Sequence, residues 1–169
     1  MKKILSLLGI FTLIGTSTTS LVACNTPQEY TKEELTELKE ENKINTANQE
    51  IRDNLGWIAP QEKPFNTVDK KWYYVVWRGD KKDKWKIISF KNDIDLNFIS
   101  LKRKLDHWKQ YDLFVSSKGL VIHRYDINSN GNWWKINNDY FKSVYRWNLT
   151  TQKPDLIIDN DGNVKVNGE

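Results

Sequence analysis

Residues 72–77, Trp-Tyr-Tyr-Val-Val-Trp, are apolar without a break, a pattern that predicts a β-strand buried on both faces. Residues 78–83 then predict a turn, and 84–91 the return strand. Ile94, Phe98, Leu101, Leu105 and Trp108 recur at steps of 4, 3, 4 and 3, the period of one helical face. An amphipathic helix is therefore predicted over about residues 93–109. Asn92 or Asp93 stands ready to cap it, and Lys102, Arg103, Lys104 and Lys109 fall on its outer face and last turn, where cations suit the helix dipole. Further strands are predicted over 111–115, 120–127, 133–136 and 140–149. Asn128-Ser129-Asn130-Gly131 is read as a tight turn. Pro154 precedes a last hairpin, 156–158 and 164–166, turned by Asn160-Asp161-Gly162. The expected fold class is α+β, antiparallel β-hairpins packed with one amphipathic helix.

Upstream, Thr31-Lys32-Glu33-Glu34 has the pattern of a capping box. Ile44, Ala47, Ile51 and Leu55 share one helical face, but the stripe breaks between Leu38 and Ile44. A helical stalk of low intrinsic stability is expected, with a hinge at Pro60 and Pro64. Charge changes at the same place. Residues 24–62 carry 4 basic and 9 acidic residues, and residues 63–169 carry 20 and 13. The chain divides on this reading into an acidic stalk or linker, 24–62, and a basic domain, 63–169. That field is well below the basic stripe of a nucleic-acid binder, so no nucleic-acid partner is expected. Hydrophobic content is 38% but eight residues are Trp, which predicts an aromatic-rich core. With one Cys, no intrachain disulfide can form.

That Cys has another use. Lys2 and Lys3 give a positive start, an apolar run spans 4–14, and a small, polar stretch follows. This is the layout of a secretory signal over residues 1–23, too short to span a bilayer. Leu21-Val22-Ala23-Cys24 resembles the bacterial lipobox, in which the thiol becomes a thioether to diacylglycerol. Two acyl chains give stable anchoring where one is marginal. The mature chain is expected on the extracellular face of the membrane, lipid-anchored at Cys24.

Other chemistry is sparse. Asp126, Asn128, Asn130 and Gly131 match half a calcium loop, but Asn137 stands where a bidentate Glu is needed, and Asp159-Asn160-Asp161-Gly162 is shorter still. His107 and His123 have no metal-ligand spacing, and no nucleophile motif or Gly-rich phosphate loop occurs. Neither an enzyme nor a cofactor is expected. Arg78-Gly79-Asp80 is an integrin-type tripeptide that a hairpin turn explains, and Asn148-Leu149-Thr150 is a chance sequon. Trp133 and Trp134 are adjacent in a predicted strand, so one fills the core and the other is a candidate ligand-binding residue.

Lys outnumbers Arg by 21 to 5 and Asn reaches 17, a bias toward A/T-rich codons that the eight Trp break. A genome reading UGA as Trp, as mollicutes do, explains both. The signal, this bias, and segments such as Lys71-Trp-Tyr-Tyr-Val-Val-Trp-Arg78 and Val144-Tyr-Arg-Trp-Asn-Leu149 together resemble spiroplasma-type mollicute surface lipoproteins. The resemblance implies membrane anchoring and surface exposure, and carries no activity. Two functional classes follow: a module binding a protein or glycan partner, or an extracellular hydrolase or transporter-accessory lipoprotein.

Overall fold

The computed structural model describes residues 29–97, 101–125, 127–133 and 139–169. Two short helices come first, α1 (Lys32–Glu41) and α2 (Gln49–Asn54). The strands are β1 (Leu55–Trp57), β2 (Trp72–Trp77), β3 (Lys86–Lys91), β4 (Arg103–Trp108), β5 (Tyr111–Ser116), β6 (Gly119–Arg124), β7 (Ile127–Asn132), β8 (Phe141–Trp147), β9 (Leu156–Ile158) and β10 (Val164–Val166). One antiparallel sheet has the order β1-β8-β2-β3 and a second β4-β5-β6-β7, while β9 and β10 form a separate hairpin.

The continuous apolar run of β2 serves two faces. Tyr73, Val75 and Trp77 join Tyr111, Leu113, Val115, Leu120 and Ile122 in the core between the sheets. Tyr74 and Val76 point the other way, to Ile44, Ile51, Trp147 and Leu156. The first sheet is thus the middle layer of three, with α2, its preceding loop and the β9–β10 hairpin on its far side. A bulge adjusts β8 to this arrangement. Val76 pairs with Ser143 and Trp77 with Phe141, leaving Lys142 unmatched. The extra residue turns Phe141 into the inter-sheet core while Tyr145 and Trp147 face outward to the third layer.

The expected α+β class with a helix over 93–109 is overturned, because the described residues are mainly antiparallel sheet. Residues 103–108 are strand β4, paired with β5 across Lys109-Gln110. Ile94, Leu101 and Trp108 are 44%, 41% and 41% exposed, so the helical spacing marks no buried face. Phe98 lies outside the described residues. The physical reason lies in β5, whose backbone needs a partner on its outer edge. The segment two residues before it supplies one, with Leu105 left over at a bulge between Lys104 and Asp106.

The helical stalk is overturned too. α1 has the capping box, with Thr31 Oγ1 accepting from Glu34 N–H and Glu34 from Thr31 N–H, and it buries no residue. From residue 44 onward, however, the acidic segment is core. Ile44, Ile51, Leu55 and Ala59 are at most 7% exposed, and β1 pairs with β8. Tyr145 and Trp147 require that cover. The prolines mark no hinge either, since Pro60–Glu62 is one 3-10 turn and Phe65 lies between the sheets. The charge change near residue 62 falls within one packed body.

Asn128–Gly131 is not a turn. Arg124 pairs with Ile127, and these residues lie inside β7. Gly131 serves close packing instead, for a Cβ there would stand 2.8 Å from the Tyr140 ring.

Candidate binding surface

Two turns and a loop meet at one end of the sandwich. Lys109-Gln110 closes β4 on β5, Tyr125 follows β6, and residues 78–85 join β2 to β3. The Tyr125 N–H donates to the Gln110 carbonyl at 3.2 Å, which ties the first two together. An ion pair from Lys109 to Asp83, and a 3.3 Å hydrogen bond from Tyr111 OH to Asp80, bring in the third. Loops fixed in this way on a rigid sheet are favoured places for recognition.

Large aromatics stay exposed here, Tyr125 at 69% and Trp108 at 41%. Lys86 Nζ stands 4.5 Å from the Trp108 ring centroid and Lys109 Nζ 5.9 Å. Lys86 is fixed in turn by Asp106 at 2.9 Å. Ammonium groups therefore stand over the indole, an arrangement stabilised by the negative face of the ring quadrupole.

His107, the neighbour of Trp108, pairs with Asp112 across the strands and points to the opposite face. Its Nδ1 lies 2.7 Å from Asp112 Oδ1 and 3.2 Å from the Tyr125 hydroxyl. Lys104 Nζ reaches the same carboxylate oxygen at 2.7 Å. Burial opposes ionisation of Asp112, but the bonds from Lys104 and His107 outweigh it and hold its pKa below the ordinary carboxylate value. Among the described residues no serine, threonine or cysteine side chain bonds His107. On the same face, burial and the Lys102 ammonium at 3.3 Å lower the pKa of His123 and favour its neutral ring.

Comparison of the chain with protein-family models, curated proteins and solved structures finds no match. The reading of this surface rests on its own chemistry.

The residues expected from sequence fall elsewhere. Leu21, Val22, Ala23, Cys24 and Trp134 lie outside the described residues. Trp133 is 7% exposed and packs on Phe65 with ring centroids 6.0 Å apart, so it offers no surface to a partner. The Arg78-Gly79-Asp80 tripeptide is engaged internally. Arg78 stacks over Trp85 at 4.2 Å and donates from Nε to the Asp139 carbonyl. A Cβ on Gly79 would collide with the Tyr111 ring, and Asp80 accepts from Lys82 N–H. Trp108 was hidden from sequence reasoning by the helical spacing, and Tyr125 by the expectation of a strand running on over 120–127, where β6 ends at Arg124. The usable signal was Lys109-Gln110, two polar residues between segments able to alternate.

Of the two calcium-like runs, the first is only partly among the described residues. Asp126 is outside the described residues, and Asn128 and Asn130 belong to a strand. Asp159 is occupied by N–H donors, accepting from the backbone of Asn163 (2.9 Å) and Asp161 (3.0 Å) and from Asn163 Nδ2 (3.1 Å). Among the described residues no group of three or more His, Cys, Asp or Glu is arranged for a metal. No helix there is long and apolar enough to cross a membrane.

The Asp159 turn gives a pH prediction. The Asn163 backbone bond, first among the causes, lowers the Asp159 pKa from 3.8 to about 2. A depressed carboxylate pKa stabilises the fold above pH 3.8, and that contribution is lost as the pH falls through about 2. Asp159→Asn is expected to lower the melting temperature at pH 7 and to flatten its dependence on acid between pH 4 and 2. Melting curves across that range check it, and parallel acid slopes for the two proteins would refute it.

A cleft of about 500 Å³ opens between residues 41–45, β8 and the β9–β10 hairpin. Its polar lining is largely self-paired. Lys142 donates to the Asp161 carbonyl, Lys165 approaches Asp159 at 3.5 Å, and Glu169 accepts from Thr46.

Proposed function

We propose that this protein is a lipoprotein held on the extracellular face of the membrane through Cys24, with its β-sandwich as a binding module. The anchor reading is supported by residues 1–24, where two lysines, a short apolar run and Leu21-Val22-Ala23 precede the cysteine. The binding reading rests on one observation, that Trp108 and, on the opposite face of the same sheet end, Tyr125 stand exposed beside adjoining turns. Leaving such large rings in water forgoes burial free energy, and aromatic side chains of this kind dominate the energetics of recognition.

Two substitutions test the halves separately. Cys24→Ser is expected to abolish incorporation of radiolabelled fatty acid and to leave unprocessed precursor, and continued labelling would sink the anchor. Replacing Trp108 and Tyr125 together by Ala is expected to preserve the melting temperature within a few degrees, as surface changes usually do. The same variant should lose adhesion of protein-coated beads to a cell surface that the unaltered protein binds. Unaltered adhesion would remove this end of the sandwich as the binding site.

A further inference from the structure

We propose that the Trp108 edge binds an acidic saccharide, a chain carrying carboxylate or sulfate groups; this deepens and rests on the reading of the sandwich as a surface binding module. Two requirements of such a ligand are met side by side. A sugar ring presents a face of C–H bonds that packs on an exposed indole, and Trp108 supplies the indole. Its acidic substituents project from the ring edge and need cations within reach of the same indole. Lys86 and Lys109, each paired with an aspartate, hold their ammonium groups over that ring at 4.5 and 5.9 Å from its centroid, and 41% of the Trp108 surface remains exposed beside them.

The loop beside it carries the remaining charge. Residues 78–86 hold five basic and two acidic side chains. The ion pair between Lys109 and Asp83 holds this loop against the turn that bears Trp108. Lys82 and Lys84 flank Asp83 and are exposed, and neither ammonium is in an ion pair among the described residues. A neutral sugar would use the indole and leave these cations idle. A peptide acid would use the cations but would not need the exposed part of the indole. The combination favours an acidic sugar over both. Compared with a nucleic acid, the patch is small, and its single indole provides no run of stacking platforms.

The probes are heparin (sulfated), hyaluronan (carboxylated), dextran (neutral) and a short oligodeoxythymidine, titrated into the full chain in detergent. Heparin, hyaluronan or both should bind, with an affinity that falls as salt is raised. The sulfated and carboxylated arms tell which acid is preferred. Dextran and the oligonucleotide should bind at least about tenfold more weakly. Trp108→Ala is expected to cost about tenfold or more in affinity, as loss of an aromatic anchor does, and Trp108→Tyr to recover part of it. Lys84→Glu should weaken binding and reduce its salt dependence. Melting curves confirm that these exposed positions leave the fold intact. The proposal is overturned if no acidic saccharide binds, if dextran or the oligonucleotide binds equally well, or if Trp108→Ala leaves affinity unchanged. Should adhesion depend on Trp108 and Tyr125 while every saccharide fails, only this inference falls. If adhesion itself ignores both rings, the underlying reading falls with it.

Discussion

A chain that begins at Gln61 is expected to show no cooperative unfolding transition, although its composition suggests a self-sufficient basic domain. The truncation removes Ile44, Ile51, Leu55 and Ile58, all 7% exposed or less. Burying such a side chain contributes about 1.5–3 kcal/mol, so four contribute about 6–12 kcal/mol as an upper estimate. Net stability of a domain is only about 5–15 kcal/mol. Further losses add to this. β1 leaves the edge of its sheet, where Leu55, Gly56 and Trp57 pair with Trp147, Arg146 and Tyr145. β8 then becomes an exposed edge, with unpaired backbone and a bare aromatic face. The Tyr145 hydroxyl also loses its acceptor, the Asn42 carbonyl. Urea titration followed by circular dichroism and Trp fluorescence is the check. A sigmoidal transition with a midpoint close to that of the longer chain would contradict the three-layer account.

The same case shows what kind of information the sequence carried. β2 was legible because a strand buried on both faces needs no knowledge of its neighbours to be apolar throughout. The β9–β10 hairpin was legible because Gly162 takes φ +81, a conformation that glycine announces locally. β4 was not legible. Its six residues contain a bulge at Leu105, so alternation fails inside the strand and a helical spacing emerges across its flanks. Gly131 misled for a related reason, since its need is the proximity of Tyr140, which only tertiary structure creates. The candidate surface suffered most. Whether Trp108 or Trp133 is exposed depends on which sheet face is covered, and composition assigns both to a core with equal right. The prolines near residue 60 and the charge change there describe surface chemistry, and packing runs straight through them.

Trp133→Ala is expected to lower stability by about 3–5 kcal/mol, the usual cost of emptying a large aromatic site in a core. At a midpoint shift of about 2–4 °C per kcal/mol for a chain of this size, melting should fall by roughly 6–20 °C. The ring lies in the inter-sheet cluster with Phe65, Leu120 and Ile122, and the Trp133 N–H continues the β6 ladder by donating to Leu120 at 3.1 Å. Its loss opens a cavity between the two sheets that Phe65, itself wedged against Tyr73 and Phe90, cannot close. Trp133→Phe should therefore recover much of the stability. Ligand binding by whatever fraction remains folded should be unchanged, because the ring is covered. The opposite pairing, an intact melting temperature with binding lost, would place Trp133 at the recognition surface and contradict its burial. Measured beside Trp108→Ala, the two variants separate the roles of tryptophans that the sequence assigns the other way, Trp108 to an apolar stripe and Trp133 or Trp134 to a ligand. One should lose stability and keep binding, the other the reverse, and only a sandwich that covers residue 133 while exposing residue 108 yields that crossing of effects.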